Sequence, residues 1–326
     1  MKDRTFRIGT FNVLNLVLPD TTYYGNRRYS SAEYGKKTDW IAGQIDKMAP
    51  DLIGFQEVFH PEALEEALKK SRYLNKANIL VAAPDGELPK VGLATRFEII
   101  SHEVFQTIPL SLEMDGVQIP VSTFSRPVLK ARVRVNSQLD LTVFVVHLKS
   151  KRPVFMDGES RENPVDLAKG QTRALIRRSI EAAGLRQLLM DSLQNRTEPV
   201  VLIGDVNDNG LAVSTRIISG EQPHRKYPQE VKQAIWDVLM YHVKDIQARR
   251  GYQDFYYTHI HNAHHEALDH IMVSQELVAE NPMHLGRVGL VSLLNDHLVD
   301  ETLSDDPVRE WQSDHGQVVA TIELRN

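Results

Sequence analysis

One pattern repeats along this 326-residue chain: a short apolar run that ends in an acid, an amide or an imidazole. Phe6–Phe11 leads to Asn12, and Leu52–Phe55 leads to Gln56-Glu57. Val143–Val146 leads to His147, and Val200–Ile203 to Gly204-Asp205-Val206-Asn207. Leu268-Asp269-His270-Ile271 sets an acid inside an apolar run, and Ser313-Asp314-His315 stands directly before the last one. An unpaired buried carboxylate is costly, so groups placed this way must satisfy one another, a metal or a substrate.

The runs read as strands over Arg7–Val13, Asp51–Val58, Asn78–Ala83, Val91–Phe97, Leu129–Val135, Leu141–Leu148, Val200–Val206, Leu268–Val273 and Val318–Leu324. Leu129, Ala131, Val133 and Val135 alternate with Lys130, Arg132 and Arg134, which predicts a strand with one wet face. Phe144-Val145-Val146 and Val200-Val201-Leu202-Ile203 are continuous apolar runs, suited to strands covered on both faces. Helical spacing lies between them. Trp40, Ile41, Ile45 and Met48 share a face, Pro61 opens a helix to about Lys70, and the longest helical pattern runs from Val165 towards Leu193. Gly170 and Gly184 weaken the case for an unbroken rod there. A further helix is expected from Glu230 to Met240. Strands and helices mixed in this way predict a layered α/β protein. No repeat or Pro/Gly/Ser-rich linker divides the chain, so residues 1–326 are expected to form one domain. The aperiodic stretches Leu18–Lys36, Ser150–Pro164, Ser219–Pro228, Gly251–Glu266 and Leu293–Ser313 are expected to be functional loops gathered at one end.

The chain has no cysteine, which excludes a disulfide framework, zinc ribbons, iron–sulfur ligation and a thiol nucleophile. Metal chemistry must then use oxygen and imidazole. Gly204 to Gly210 lacks the Gly-Lys-Ser/Thr ending of a Walker loop, and no Gly-x-Ser-x-Gly elbow is present. The start carries no apolar stretch behind a basic end, and no window approaches a membrane span. A cytoplasmic protein is expected, a removed leader aside, with no membrane contact and no obligate protein partner. The net charge of −5 is not that of a protein that coats duplex DNA. Charge is uneven, however: nine bases face five acids between His147 and Gln187, and seven acids face one base between Val291 and Asp314. A local basic surface suits an anionic substrate. On charge alone a solvated helix face is the simpler account.

The strand-end groups are suited to particular chemistry. Oxygens from Glu57, Asp314 and Asn12 fit a hard ion such as magnesium. A histidine paired through space with an aspartate is a general acid/base unit, and further imidazole and amide donors suit a phosphoryl group gaining charge. The ordered set Gly9-Thr10-Phe11-Asn12, Asp51-Leu52-Ile53-Gly54-Phe55-Gln56-Glu57, Val145-Val146-His147-Leu148-Lys149-Ser150, Gly204-Asp205-Val206-Asn207, Leu268-Asp269-His270-Ile271 and Ser313-Asp314-His315 resembles the endonuclease/exonuclease/phosphatase superfamily. Each short motif alone is weak, whereas the set in order, from Phe6 to Leu324, is specific.

The resemblance implies a DNase I-like four-layer α/β sandwich, in which two packed mixed β-sheets are flanked by helices. It implies Glu57 as the main ligand of Mg2+ or Mn2+, with Asn12 and Asp314 near it. His315 would be the general base, oriented by Asp269; His147 would contact the scissile phosphate; Asp205 and Asn207 would position water or leaving group. The motifs leave open whether Asp205 or His315 takes the proton. Two departures count against abasic-site repair. Leu14 stands where repair-type relatives carry an acid, and His147 stands where they tend to carry tyrosine. His270 beside Asp269 replaces a frequent aromatic.

Arg126, Lys149, Lys151, Arg152 and Arg173 are the candidate substrate-binding cations. Tyr23, Tyr24, Tyr29 and Tyr34, mixed with Arg27 and Arg28, either stack bases or simply pack. His259, His261, His264 and His265 fit no standard closed zinc site, and are expected to wall the cleft beside Asp269. The resulting expectation is a metal-dependent phosphodiesterase, foremost a nuclease acting on DNA or RNA. The alternatives are a phosphatase or phosphodiesterase for a small phosphorylated molecule, and a catalytically idle binding module.

Overall fold

The computed structural model describes residues 5–248, 256–261, 263–300 and 309–325. Parts of the two expected loops 251–266 and 293–313 therefore lie outside the described residues. One six-stranded sheet is built from β1 (Thr5–Leu16), β2 (Leu52–Val58), β3 (Asn78–Val81), β4 (Lys90–Thr95), β15 (Gly286–Leu294) and β16 (Gln317–Leu324), in the order β15-β16-β1-β2-β4-β3. The other contains β5 (Glu98–Thr107), β8 (Thr123–Asn136), β9 (Leu139–His147), β10 (Val200–Asp205), β11 (Met240–His242) and β14 (Asp269–Ser274), in the order β11-β14-β10-β9-β8-β5. Two short ribbons, β6 (Glu113–Met114) with β7 (Val117–Gln118) and β12 (His259–His261) with β13 (His264–Glu266), stand apart.

Each large sheet has a parallel pair at its centre, β1 with β2 and β9 with β10, and its other pairs are antiparallel. A parallel pair needs a crossover, and helices supply both. Helix α1 (Ser31–Met48) joins β1 to β2, and α3 (Pro164–Leu193) joins β9 to β10. Among the described residues the remaining α-helices are α2 (Pro61–Lys70), α4 (Val213–Ser219), α5 (Gln229–Trp236) and α6 (Val243–Ala248). Among the described residues, no helix is long and apolar enough to cross a membrane.

The apolar residues sort into layers by strand alternation. Val143, Val145, Val201 and Ile203 point into the core between the sheets, where they meet Leu52, Val91 and Leu93. Their neighbours Phe144, Val146 and Leu202 point the other way, against Leu185, Leu188 and Leu189 of α3. Phe11, Ile53 and Phe55 pack outward on Ile41, Ile45 and Met48 of α1 and on Ala63 and Leu64 of α2. Helix, sheet, sheet and helix thus make four layers, and the continuous apolar runs are covered on both faces as expected.

Two helices differ from the sequence expectation for local reasons. Helix α1 begins inside the stretch read as aperiodic, because Ser30 and Glu33 form a capping box. Helix α3 runs unbroken through Gly184, where an added Cβ would lie 2.6 Å from Ile108; this glycine lets the helix approach the sheet rather than ending it. The helix expected to reach Met240 stops at Trp236, and Met240 opens edge strand β11. Edge strands β5 and β15 were not expected, since β5 is mostly exposed and polar and the apolar residues of β15 are interrupted by Gly289 and Ser292.

The two sheets are tightly packed at Gly54, where an added Cβ would lie 2.7 Å from Ile203 and 2.9 Å from Val145. Gly54→Ala is expected to destabilise the protein by about 1–3 kcal/mol through overpacking. Gly43→Ala, in the interior of α1 with nothing within 4 Å of the added atom, should instead stabilise it by about 0.5–1 kcal/mol. Urea denaturation of the two variants checks both signs.

Candidate active site

The strand registers assemble the polar ends. Asp205 closes β10 and lies opposite His147 on the parallel side and Asp269 on the antiparallel side. Asn12 lies opposite Gln56 across the other parallel pair. Asp205 is buried at the junction of the two sheets, and Asn12 Nδ2 donates to its Oδ2 at 3.2 Å. The Asn207 backbone N–H donates to Oδ1 at 2.8 Å, His147 Nε2 is 3.4 Å from Oδ2, and His315 Nε2 is 3.9 Å from it. Asn207 is held in turn by a 3.0 Å bond from its Nδ2 to the Leu148 carbonyl. The turn carrying His315 is tied to β1 because Ser313 Oγ donates to the Asn12 carbonyl at 2.6 Å and accepts from the His315 N–H at 2.9 Å.

His315 Nδ1 is 2.8 Å from Asp269 Oδ2. Burial alone would lower the pKa of this imidazole, but the attraction of Asp269, helped by Asp205 and Asp314, holds it well above its ordinary range. His147 goes the other way: burial, with Arg126 and His315 nearby, pushes it well below its ordinary range and keeps it neutral. Burial raises Asp205 to about 7, with Asp269 and Glu57 adding to the rise and His315 opposing it. One site therefore holds a cationic imidazole, a neutral imidazole and a carboxyl poised near neutrality.

The backbone is strained at the same place. Leu14, Asn15, Glu57 and Asn207 all have positive φ, between 50° and 66°. Such conformations cost on the order of 1 kcal/mol or more each for residues other than glycine, and they persist where surrounding bonds enforce them. Here Asn12 Oδ1 accepts from the Leu14 N–H, and Glu57 Oε2 accepts from the Asn15 N–H at 3.0 Å. Leu14, the position of the missing acid, thus serves a turn that turns Glu57 into the cleft.

A hard cation fits Glu57 and Asp314 by chemistry. Both carboxylates are half-buried, and Asp314 Oδ1 is buried with no hydrogen-bond partner among the described residues. Asn12 is placed differently from a simple ligand. Its amide oxygen is taken by Leu14, while its NH2 group faces Glu57 and Asp205. Two further groupings of acid and imidazole atoms lie within 4.8 Å of one another, Asp205 with Asp269 and His315, and His259 with Asp314 and His315.

The candidate cations are distributed unevenly. Arg126 bonds the Leu148 carbonyl at 3.2 Å and, with Arg152, lies close enough to the exposed Tyr24 ring to act on its hydroxyl. Lys149 turns its ammonium onto the Ser150 and Arg152 carbonyls, and burial pushes it down to about 8. Lys151 pairs with Glu266 at 2.5 Å, and Arg173 forks onto Glu159 at 2.5 and 2.7 Å. The structure therefore brings Arg126 and Arg152 to the cleft and commits Lys149, Lys151 and Arg173 to internal partners. Of the tyrosines, Tyr23, Tyr29 and Tyr34 are buried packing residues, and Tyr24 stays exposed. His270 is structural, with Nε2 2.9 Å from the Asp208 carbonyl and Nδ1 3.2 Å from His242 Nδ1.

Sequence reading missed Lys37, which is fully buried on α1. Burial lowers its pKa to about 8 against the pull of Glu57 and Asp314, so its charge lies behind the two acids. The signal was its spacing, four residues before Ile41 on the buried face of the helix. Glu181 was also missed. It is fully buried on α3 and accepts from Ser125, from the Lys149 N–H at 2.7 Å and from Arg177, which ties the helix to the chain beside His147.

Residues 9–315 match the Endonuclease/Exonuclease/phosphatase family. No curated protein matches the chain by sequence. Among solved structures, an endonuclease/exonuclease/phosphatase family protein from Bacteroides thetaiotaomicron is similar with a TM-score of 0.57 at 16% identity, over 98% of each chain. TDP2 of D. rerio, complexed with a single-strand DNA product, gives a TM-score of 0.56 at 16% identity, over 98% of this chain and 99% of that one. The human Nocturnin catalytic domain, with a bound sulfate anion, gives 0.55 at 12% identity, over 98% of this chain and 95% of that one. At these identities the likeness is one of fold, the two mixed sheets flanked by helices.

In the metal-free protein the His315 imidazole is expected to stay protonated well above its ordinary range, and Asp269→Asn should bring its titration down. Because the folded-state pKa is raised, the stability this pairing contributes is present at low pH and is lost as pH rises through the folded value. Histidine-detected NMR titration of the wild type and Asp269→Asn reads the shift. An unchanged His315 midpoint in the variant would show that the pairing does not hold the proton.

Proposed function

The chain belongs to the endonuclease/exonuclease/phosphatase family, and on that footing we propose that it is a divalent-metal-dependent phosphodiesterase acting on nucleic acid. The observation that carries this reading is the buried carboxylate of Asp205, surrounded by Asn12, His147, Asn207 and His315 from both sheets. Hydrolysis of a phosphodiester requires a proton acceptor for the attacking water and donors for the phosphoryl oxygens.

In this proposal Asp205, not His315, takes the proton of the attacking water. His315 is held cationic by Asp269 and has no free lone pair at Nε2, whereas Asp205 is raised to about 7, near the working pH of a general base. Asn207 holds the turn that follows Asp205, and the water oxygen bonds to phosphorus as the bond to the leaving oxygen breaks. His315 donates its Nε2 proton towards a phosphoryl oxygen, and His147 serves as a neutral donor beside it. A magnesium or manganese ion held by Glu57 and Asp314 would polarise the phosphate and offset charge on the leaving oxygen. Lys37, behind those acids, limits their repulsion.

Nucleic acid is supported as substrate by exposed Tyr24 beside Arg126 and Arg152, an aromatic surface with cations suited to a stacked base and its phosphate. The fold relative TDP2 of D. rerio is complexed with a single-strand DNA product. A second reading, a small phosphorylated substrate, is favoured by the internal pairing of Lys149, Lys151 and Arg173, which leaves a short basic rim. The joint presence of Glu57, His147, Asp205, Asn207, Asp269 and His315 counts against the idle-module reading.

Hydrolysis of a phosphodiester, a phosphomonoester, and single- and double-stranded DNA and RNA, each with Mg2+, Mn2+ or chelator, separates these readings. Asp205→Asn is expected to lower kcat by about 10²–10⁴-fold. The wild-type kcat/KM should rise with pH through about 7 as Asp205 ionises. On a single-stranded substrate, Arg152→Ala should reduce the salt slope of binding by about 0.7, and Lys151→Ala, already paired with Glu266, by less. Turnover of the monoester alone, indifferent to nucleic acid as competitor, would overturn the nuclease reading in favour of the small-molecule one.

A further inference from the structure

The ribbon of β12 and β13 brings to the cleft a histidine that the hydrolytic reading leaves unused. Thr258 fixes the ribbon from below. Its Oγ accepts from the Leu268 and Asp269 N–H groups at 3.0 and 3.1 Å, and its carbonyl accepts from the Gly316 N–H at 2.7 Å. The next residue, His259, is thereby held against the turn of Asp314 and His315, with its ring centroid 5.0 Å from that of His315 and tilted by 47°.

One donor atom each from His259, Asp314 and His315 lies within 4.8 Å of the others. His259 Nδ1 and Asp314 Oδ1 are buried and have no hydrogen-bond partner among the described residues. Buried polar atoms are ordinarily bonded, so two such orphans in one small cluster call for a ligand. His315 has Nδ1 committed to Asp269, so a cation would bind at Nε2 by displacing the proton that the imidazole carries there without one. An imidazole backed by a carboxylate in this way is the usual arrangement of a metal-ligating histidine.

We propose that His259, Asp314 and His315 form a second divalent-cation site, sharing Asp314 with Glu57's and selective for an ion of the Mn2+, Co2+ or Zn2+ class over Mg2+. Two imidazoles and one carboxylate make a softer donor set than Glu57 with Asp314, where oxygen alone is on offer. Imidazole nitrogen suits transition ions, whereas Mg2+ keeps to oxygen and water. The site shares Asp314 and His315 with the proposed function and rests on that reading only for its contrast with Mg2+; cation binding is read without substrate, so either can fail while the other stands.

The test is titration of the full chain with Co2+, followed by visible absorption and calorimetry, with and without excess Mg2+. The wild type should bind one equivalent of Co2+ that survives a tenfold excess of Mg2+ and shows the absorption of an imidazole-bound ion. His259→Ala and His259→Gln should each lose that equivalent, or bind it at least about tenfold more weakly. Both should retain Mg2+-supported hydrolysis, and circular dichroism establishes that at least one is folded. His265→Ala, on the same ribbon, should bind as the wild type does. Retention of the equivalent in a folded His259 variant, its loss in His265→Ala, or its displacement by Mg2+ would overturn the proposal.

Discussion

The site depends on keeping one carboxylate out of water. Asp205 ends a strand buried on both faces, and removing a charge of that kind from water is costly unless its neighbours compensate. Every nearby feature bears on that cost. Asn12 and the Asn207 N–H donate to the carboxylate and the His315 cation stands 3.9 Å away, whereas His147, kept neutral, adds no charge of its own. The compensation is incomplete, since Asp269 and Glu57 push the other way, and the group is left near neutrality. A fully satisfied Asp205 would be a stronger acid and a poorer acceptor of a proton.

The arrangement follows from topology. Both sheets place a parallel pair at their centre, and the carboxyl ends of such pairs form the crevice where α/β proteins bind ligands. Asn12 and Glu57 come from the end of one pair, and His147 and Asp205 from the end of the other. The crossover helices do more than return the chain. From α1, Lys37 places a charge behind Glu57 and Asp314; from α3, Glu181 ties the helix to the Lys149 N–H, two residues past His147. Arg178, also on α3, pairs with Asp208 at 3.0 Å and so holds the turn after Asn207.

What the sequence made legible is what local pattern encodes. The central strands carry uninterrupted apolar runs because both their faces are covered, and their polar ends stand out against those runs. Edge strands β5 and β15 lack that contrast, and Ser30 with Glu33 began a helix where no apolar period had started. The fate of the basic residues was not legible at all. Arg173 and Lys151 look alike with Arg152 in the sequence, yet Glu159 lies fourteen residues from Arg173 and Glu266 more than a hundred from Lys151. Pairing over such separations is decided by the fold. Lys37 was legible in principle, since a charge on the buried face of an amphipathic helix breaks its pattern and asks for a reason.

The strained residues show why the polar ends could not be placed by regular strands alone. A strand sends alternate side chains to opposite faces, so a continuous β1 or β2 could not aim all of its final polar groups at one point. The β1–β2 ladder shifts register between Asn12 and Leu16, and Glu57 adopts a left-handed backbone where the pairing with β4 also shifts. These breaks re-aim Asn12 and Glu57 towards Asp205, and the bonds from Leu14 and Asn15 to their side chains hold the turn. The conformational cost at these positions and the incomplete solvation of Asp205 belong together. Both are local departures from the lowest-energy fold, confined to the place where chemistry requires them and supported by the packed layers on either side.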